Sequence, residues 1–382
     1  MSLQEESFQN LNLSMDILKG IYTYGFKNPS KVQLDGIQKI QSKKDCIIQS
    51  QSGTGKTATY LIGVLSNIDN NNNNVQSIIL APTRELSIQI HQVARALAKF
   101  TNVNPTLCVA GEPTWSIKKN ILGGSKLLIG TTGRINHLLT MDFFKMEHLK
   151  ILIIDEADNL LSFGFKESVF EIFKKIPEEI QMILVSATFP KEVHYLMNKF
   201  MIEPEKILLR KTELIVEKIK QYYVDVEEEE NKYEILIDLF AILDSAKTII
   251  YTNSIRKLEW LQEKLLKENF PIAFIHGKME RDDRNKIIEQ FKNNEKRILL
   301  TTDLLARGID IKNVNLVINY DLPKNFQNYV HRIGRSGRFG ADGVAINFVR
   351  LNNDFELKNF EKLQNFFEIT IDELPENIKD LV

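Results

Sequence analysis

Disulfide chemistry, membrane spans and bulk charge are all missing from this 382-residue chain. Its two cysteines, Cys46 and Cys108, stand far apart and in no CxxC pair. That excludes a disulfide framework and a thiolate zinc site, and it points to a reducing compartment. No apolar run approaches the roughly 20 residues that a membrane-spanning helix needs. The opening MSLQEESFQN is polar and acidic, so neither a secretory signal nor an Arg-rich transit peptide is expected there. The formal net charge is −1. A protein that coats nucleic acid through bulk charge would be more basic, so any such contact must use locally placed groups. With 43% hydrophobic and 26% charged residues, the composition is that of a globular protein, and the length predicts two or three domains.

What is present is alternation. Ten short β-prone runs are separated by longer amphipathic stretches. The first five cover 45–50, 77–82, 126–131, 150–155 and 182–188; the second five cover 247–252, 272–277, 297–302, 315–320 and 343–349. Each is too short for a helix, and strand–helix alternation predicts an α/β fold with parallel sheets flanked by helices. Ten strands exceed one comfortable sheet, so two domains are expected: 1–209, a linker at 210–217, and 218–382. The five asparagines Asn70–Asn74 read as a solvated loop. The acidic run Glu227–Glu230 reads as a cap or solvent-facing start of a helix.

Two motifs carry chemistry. QSQSGTGKTATY (49–60) follows the first strand and precedes a helix-like stretch. Its small residues, Ser52, Gly53, Thr54 and Gly55, let backbone N–H groups turn toward a polyphosphate. In such a loop Lys56 would reach the β- and γ-phosphates, and the Thr57 hydroxyl would coordinate Mg²⁺. The first glycine of the general phosphate-loop pattern is Ser50 here. ILIIDEADNLL (151–161) places Asp155, Glu156 and Asp158 at the end of a buried-looking strand. Crowded carboxylates there are offset by a dication and cationic partners. Asp155 is the candidate Mg²⁺ ligand, Glu156 is placed to polarise the attacking water, and Asp158 anchors a neighbouring loop.

With D-E-A-D at 155–158, SGTGKT, PTREL (82–86), SAT (186–188), TTDLLARGID (301–310) and HRIGRSGRFG (331–340), the chain resembles the DEAD-box RNA helicases. Within that family it is most similar to the translation initiation factor 4A group, including its exon-junction paralogue. The resemblance implies two RecA-like domains that bind ATP with Mg²⁺ between them and single-stranded RNA, or a short duplex, across both. It implies an adenine site at Phe26 and Gln33, and a ribose contact at Asp310. Phe8 is expected to pack this segment. Arg335 and Arg338, three apart and so one helical turn, are implied as arginine fingers on the γ-phosphate. Asp158, Ser186, Thr188 and His331 are implied as interdomain couplers. The RNA contacts implied are Pro82, Thr83, Arg84, Gly111, Thr131 and Arg134 in the first domain, and Arg284, Thr301 and Arg307 in the second.

Three departures cluster among the RNA residues: Thr132 stands for the family's proline, Ala110-Gly111 followed by Glu112 replaces paired glycines, and Arg281 replaces a glutamine. A carboxylate at Glu112 predicts weaker RNA affinity with a strong salt dependence. The function expected is RNA-stimulated ATP hydrolysis with local duplex unwinding in translation initiation, in the cytoplasm with the nucleus as the alternative, by a monomeric core with regulatory protein partners and no membrane contact. The competing readings are an ATP-gated RNA clamp and a ribosome-assembly helicase.

Overall fold

The structure, a computed structural model, describes residues 7–49, 55–161, 166–208, 219–243, 246–303, 314–336 and 343–378. The described residues up to 208 form one compact unit and those from 219 form a second. The predicted linker, 210–217, lies outside the described residues.

The first unit carries a parallel sheet of seven strands: β1 Cys46–Gln49, β2 Ser77–Ala81, β3 Pro105–Cys108, β4 Leu127–Thr131, β5 Ile151–Ile154, β6 Gln181–Ser186 and β7 Glu205–Ile207, in the spatial order β3-β4-β2-β5-β6-β1-β7. The second unit has seven more: β8 Ile219–Asp225, β9 Thr248–Tyr251, β10 Ile272–Ile275, β11 Ile298–Thr301, β12 Leu316–Asn319, β13 Gly343–Val349 and β14 Asp372–Glu373, ordered β10-β11-β9-β12-β13-β8-β14, again all parallel. Each unit is therefore a parallel sheet flanked by crossover helices, as the alternation predicts. All ten predicted strands form. The four others, β3, β7, β8 and β14, are short or polar.

Central strands are apolar throughout because helices cover both faces. β5 is fully buried, pairing with β2 on one side and β6 on the other. Apolar clusters lie on both sides of the first sheet. Phe8 is fully buried in one of them, as expected. At Gly130 on β4 a Cβ would lie 2.0 Å from the Cys108 carbonyl oxygen, so the β3–β4 approach admits only glycine. Both cysteines are buried and free, and burial pushes each thiol up to about 12, leaving neither reactive at neutral pH.

The acidic run does not simply face solvent. Glu230 occupies the N-cap of the helix Asn231–Ile242 without a side-chain cap bond. Glu229 accepts from Lys232 at 2.8 Å and from Lys257 at 2.6 Å, and Lys257 also reaches Asp321 at 2.6 Å. Lys232 is almost fully buried, so its charge requires these partners. Among the described residues, no helix is long and apolar enough to cross a membrane.

Candidate active site and nucleic-acid interface

Because every strand is parallel, all the C-terminal strand ends fall along one edge of each sheet. That is where open α/β sheets bind ligands.

In the first unit the phosphate-loop side begins after β1. Ser50, Ser52, Gly53 and Thr54 lie outside the described residues. Gly55 is described, at φ +88°, as the N-cap of the helix Lys56–Asn67. Lys56 and Thr57 are its first two residues, half-buried at a helix N-terminus that favours negative charge. A Cβ on Gly55 would lie 2.7 Å from the Gln33 side-chain nitrogen, so the predicted adenine-reading residue packs against the end of the loop. Gln33 also closes a capping box: its Oε1 accepts from the Ser30 N–H at 2.8 Å, while the Ser30 hydroxyl accepts from the Gln33 N–H. The second lone pair on Oε1 and the amide N–H groups complete its capacity. Phe26 sits beside Tyr24, with ring centroids 5.1 Å apart, and Phe8 at 6.3 Å.

Asp155 follows β5 directly and is 4% exposed. Its Oδ2 accepts from the Tyr60 hydroxyl and its Oδ1 from the Glu156 N–H, each at 2.8 Å. Burial pushes its carboxyl up to about 6; the nearby Lys56 ammonium works against that shift and the Glu156 carboxylate adds to it. One acceptor site remains on each Asp155 oxygen, which suits a hydrated hard dication. Glu156 holds φ +48° and ψ 53°, a left-handed conformation rare for a non-glycine residue. Strain of this kind persists where surrounding structure over-determines it, and it falls on the residue expected from the sequence to polarise water. Asp158 accepts from the Thr188 hydroxyl at 2.6 Å, and Ser186 donates to the Thr188 carbonyl at 2.7 Å, which ties the end of β6 to the turn after β5.

The candidate RNA residues gather on the other half of the same edge. Pro82, Thr83 and Arg84 follow β2, Gly111 follows β3 at φ +89°, and Thr131 ends β4. Thr83 caps the helix Arg84–Leu97, its hydroxyl accepting from the Leu86 N–H. Arg84 donates from Nε to the Ala110 carbonyl at 3.1 Å. Arg134 donates to the Glu112 carbonyl at 2.8 Å and to the Thr114 hydroxyl at 2.9 Å. The two arginines thus hold the 110–114 loop from either side. Thr132 takes the first position of the helix Thr132–Thr140, where proline is favoured and threonine is tolerated, so the helix start survives that departure.

The second sheet repeats the division. Thr301 ends β11, and Arg284 lies in the first turn of the helix Arg281–Lys292, which follows β10. Thr301 is 2% exposed and its hydroxyl donates to the Thr302 carbonyl, so its side chain is turned inward. His331 and Arg335 follow β12 and are both buried. The helix Phe326–Ile333 ends before Arg335, which sits in the turn beyond it, and the rest of the expected 335–338 turn lies outside the described residues. Arg307, Asp310 and Arg338, with the side chain of Arg281, lie outside the described residues.

Residues 30–196 match the DEAD/DEAH box helicase family, and residues 231–340 match the helicase conserved C-terminal domain. The chain is 42% identical to eukaryotic initiation factor 4A of Caenorhabditis elegans, over 99% of this chain and 93% of that protein. This chain belongs to the DEAD/DEAH box helicase family. It is also 44% identical to ATP-dependent RNA helicase fal1 of Schizosaccharomyces pombe, over 98% and 95% of the two chains. Its fold is similar to that of Dbp5 of S. cerevisiae bound to RNA and ADP BeF3, with a TM-score of 0.89 and 33% identity, covering 98% of this chain and 97% of that one.

Two residues of this helicase went unseen in its sequence. Tyr60 lies one turn after Lys56 and reaches across to Asp155, a contact 95 positions apart in sequence. Tyr60→Phe should lower the stability of the ligand-free protein by about 1–3 kcal/mol at neutral pH, because a buried carboxylate loses a donor. Urea unfolding with no change in the first transition would show that the hydroxyl contributes nothing. The other is Arg332, fully buried between His331 and the Arg335 turn. It donates to Asp303, Asn319, Asn253 and the Asp321 carbonyl, and it lies over the Tyr251 ring at 5.1 Å. It pins the segment that carries Arg335 to the ends of β9, β11 and β12. Its signal was visible as the second letter of HRIGR, but nothing local shows what it holds.

Proposed function

We propose that this ATP-dependent RNA helicase gates hydrolysis by RNA, with ATP held at the β1 and β5 ends and RNA along the β2, β3 and β4 ends of one sheet. The observation that carries the reading is this division of a single edge: the two ligand groups meet between β2 and β5, strands that pair directly.

Lys56 and the helix N-terminus behind it bind the phosphates. Gln33, in the capping-box helix, and Phe26, in the segment before it, orient the adenine. Thr57 and Asp155 would hold Mg²⁺, which when bound neutralises charge on the β- and γ-phosphates. Glu156 orients the attacking water. Arg335 supplies cationic charge from the second unit, as would Arg338, and Asp310 the ribose contact. Since the first unit lacks that arginine, hydrolysis requires groups from both units on one phosphate. RNA that engages Arg84, Arg134 and Arg284 together favours that state, and ATP does so from its own side. Contacts to phosphates and 2′-hydroxyls read little sequence. The process assigned is cytoplasmic translation initiation, on the similarity to initiation factor 4A, with target choice left to protein partners.

The test is steady-state ATP hydrolysis with and without single-stranded poly(U). Strong stimulation by RNA, abolished by Lys56→Ala, is the expected outcome. Hydrolysis indifferent to RNA would overturn the gating. ATP binding with negligible turnover even on RNA would instead establish an RNA clamp.

A further inference from the structure

The 110–114 loop leads into a helix, Thr114–Leu122, whose first turn carries an unusual side chain for a surface: Trp115 is 71% exposed. Exposure of one large apolar side chain is ordinary by itself, and it is the place of this indole beside the candidate RNA residues that gives it meaning. Three features around it narrow the partner. The preceding residue, Thr114, accepts a hydrogen bond from Arg134, and the loop carbonyl of Glu112 accepts another, so the chain just before the indole is held by a candidate RNA arginine. Lys118 and Lys119, three and four positions on, share its side of the helix and are exposed. The helix starts just beyond β3, on the same edge as Pro82–Arg84 and Thr131.

An aromatic platform among cations, continuous with a row of phosphate-binding groups, is what single-stranded nucleic acid requires: backbone tracking by charge and stacking of a base on a π-face. Resting on the RNA reading above, we infer that Trp115 is a further RNA-binding residue that stacks an unpaired base, or caps the end of the bound strand, beside the Arg84–Arg134 phosphate path. This contact also addresses Glu112. A carboxylate in the phosphate path weakens the salt-dependent part of binding, whereas stacking adds affinity that salt does not remove.

The chain has two tryptophans, Trp115 and Trp260. Trp260 lies in the second unit against Tyr233, so Trp260→Phe leaves Trp115 as the sole indole reporter in the full chain. An unlabelled single-stranded 10-mer of uridine is titrated with a non-hydrolysable ATP analogue present. The indole emission should change in step with RNA occupancy, followed separately by anisotropy of a labelled 10-mer. Trp115→Ala should weaken RNA binding about tenfold, the scale of one lost stack. The slope of log affinity against log salt should stay unchanged, because no phosphate contact is removed. Trp115→Tyr should restore most of the affinity. Thermal melting equal to that of the parent checks that the surface variants fold. If anisotropy shows RNA bound while Trp115 emission and the Trp115→Ala affinity stay as in the parent, the inference fails and the indole faces a protein partner instead. If no RNA binds under any condition, the RNA reading itself fails and the inference falls with it.

Discussion

Arg335→Ala should lower the turnover number for RNA-stimulated ATP hydrolysis by about 10³-fold while changing ATP affinity only a few-fold. An arginine finger acts on charge that develops in the transition state, so its removal falls on the chemical step rather than on ground-state binding. Arg335 is 5% exposed, and its Nε donates to the His331 carbonyl at 3.2 Å. Its segment is held independently: Val330 and Ile333 are buried in an apolar cluster, and Arg332 is fixed by four hydrogen-bond partners. Removing the Arg335 side chain therefore leaves the turn in place, and the loss reads as chemistry rather than unfolding. Arg335→Lys keeps the charge but loses the planar fork, so it should recover only part of the rate. Steady-state kinetics with RNA saturating, paired with binding of a fluorescent ATP analogue, separates the two effects. A drop in turnover below about tenfold would show that Arg335 is not the finger and would leave that role to Arg338.

Much of the fold was written in local chemistry. Strands such as ILII at 151–154 and TIIY at 248–251 are β-branched, continuous and bounded by turns, so periodicity alone finds them. β8, IKQYYVD, mixes charge and amide with tyrosine because much of it is only partly covered, and β14 is two acidic residues at a sheet edge. Neither has an apolar run to reveal it. The phosphate loop and the DEAD carboxylates were legible because each motif is contiguous. The RNA residues were legible only as a set through family resemblance, since an arginine in a loop is ordinarily solvated. What sequence does not carry is long-range pairing. No local pattern says that Tyr60 meets Asp155, that Arg332 holds three strand ends, or that Glu229 in an acidic run meets Lys257. The Tyr60–Asp155 contact arises from strand order, because only the order places β5 beside β6 and one strand from β1.

The second large effect opposes activity to stability at one residue. Asp155→Asn should abolish RNA-stimulated hydrolysis, by roughly 10³-fold or more, since the carboxylate that would hold the dication is gone. Yet in buffer free of nucleotide and dication the variant should be more stable than the parent at pH 7. Asp155 is held at about 6 against an ordinary 3.8 because burial disfavours its charge more than Lys56, Tyr60 and the Glu156 N–H favour it. The native state therefore binds this proton more tightly than the unfolded chain does. Stability falls as pH rises from about 4 to about 6 and stays lower above that window, by at most about 3 kcal/mol at about 1.4 kcal/mol per pH unit. Asparagine removes the charge and keeps the contacts: its oxygen can accept from the Glu156 N–H, and its NH₂ can donate to a turned Tyr60 hydroxyl. Its advantage should vanish toward pH 4, where the parent is protonated. Urea unfolding of both proteins at pH 4 and pH 7 checks the sign. A variant less stable than the parent at pH 7 would mean that the neighbouring donors and Lys56 already satisfy the buried charge, and that Asp155 is poised for a dication without a stability cost.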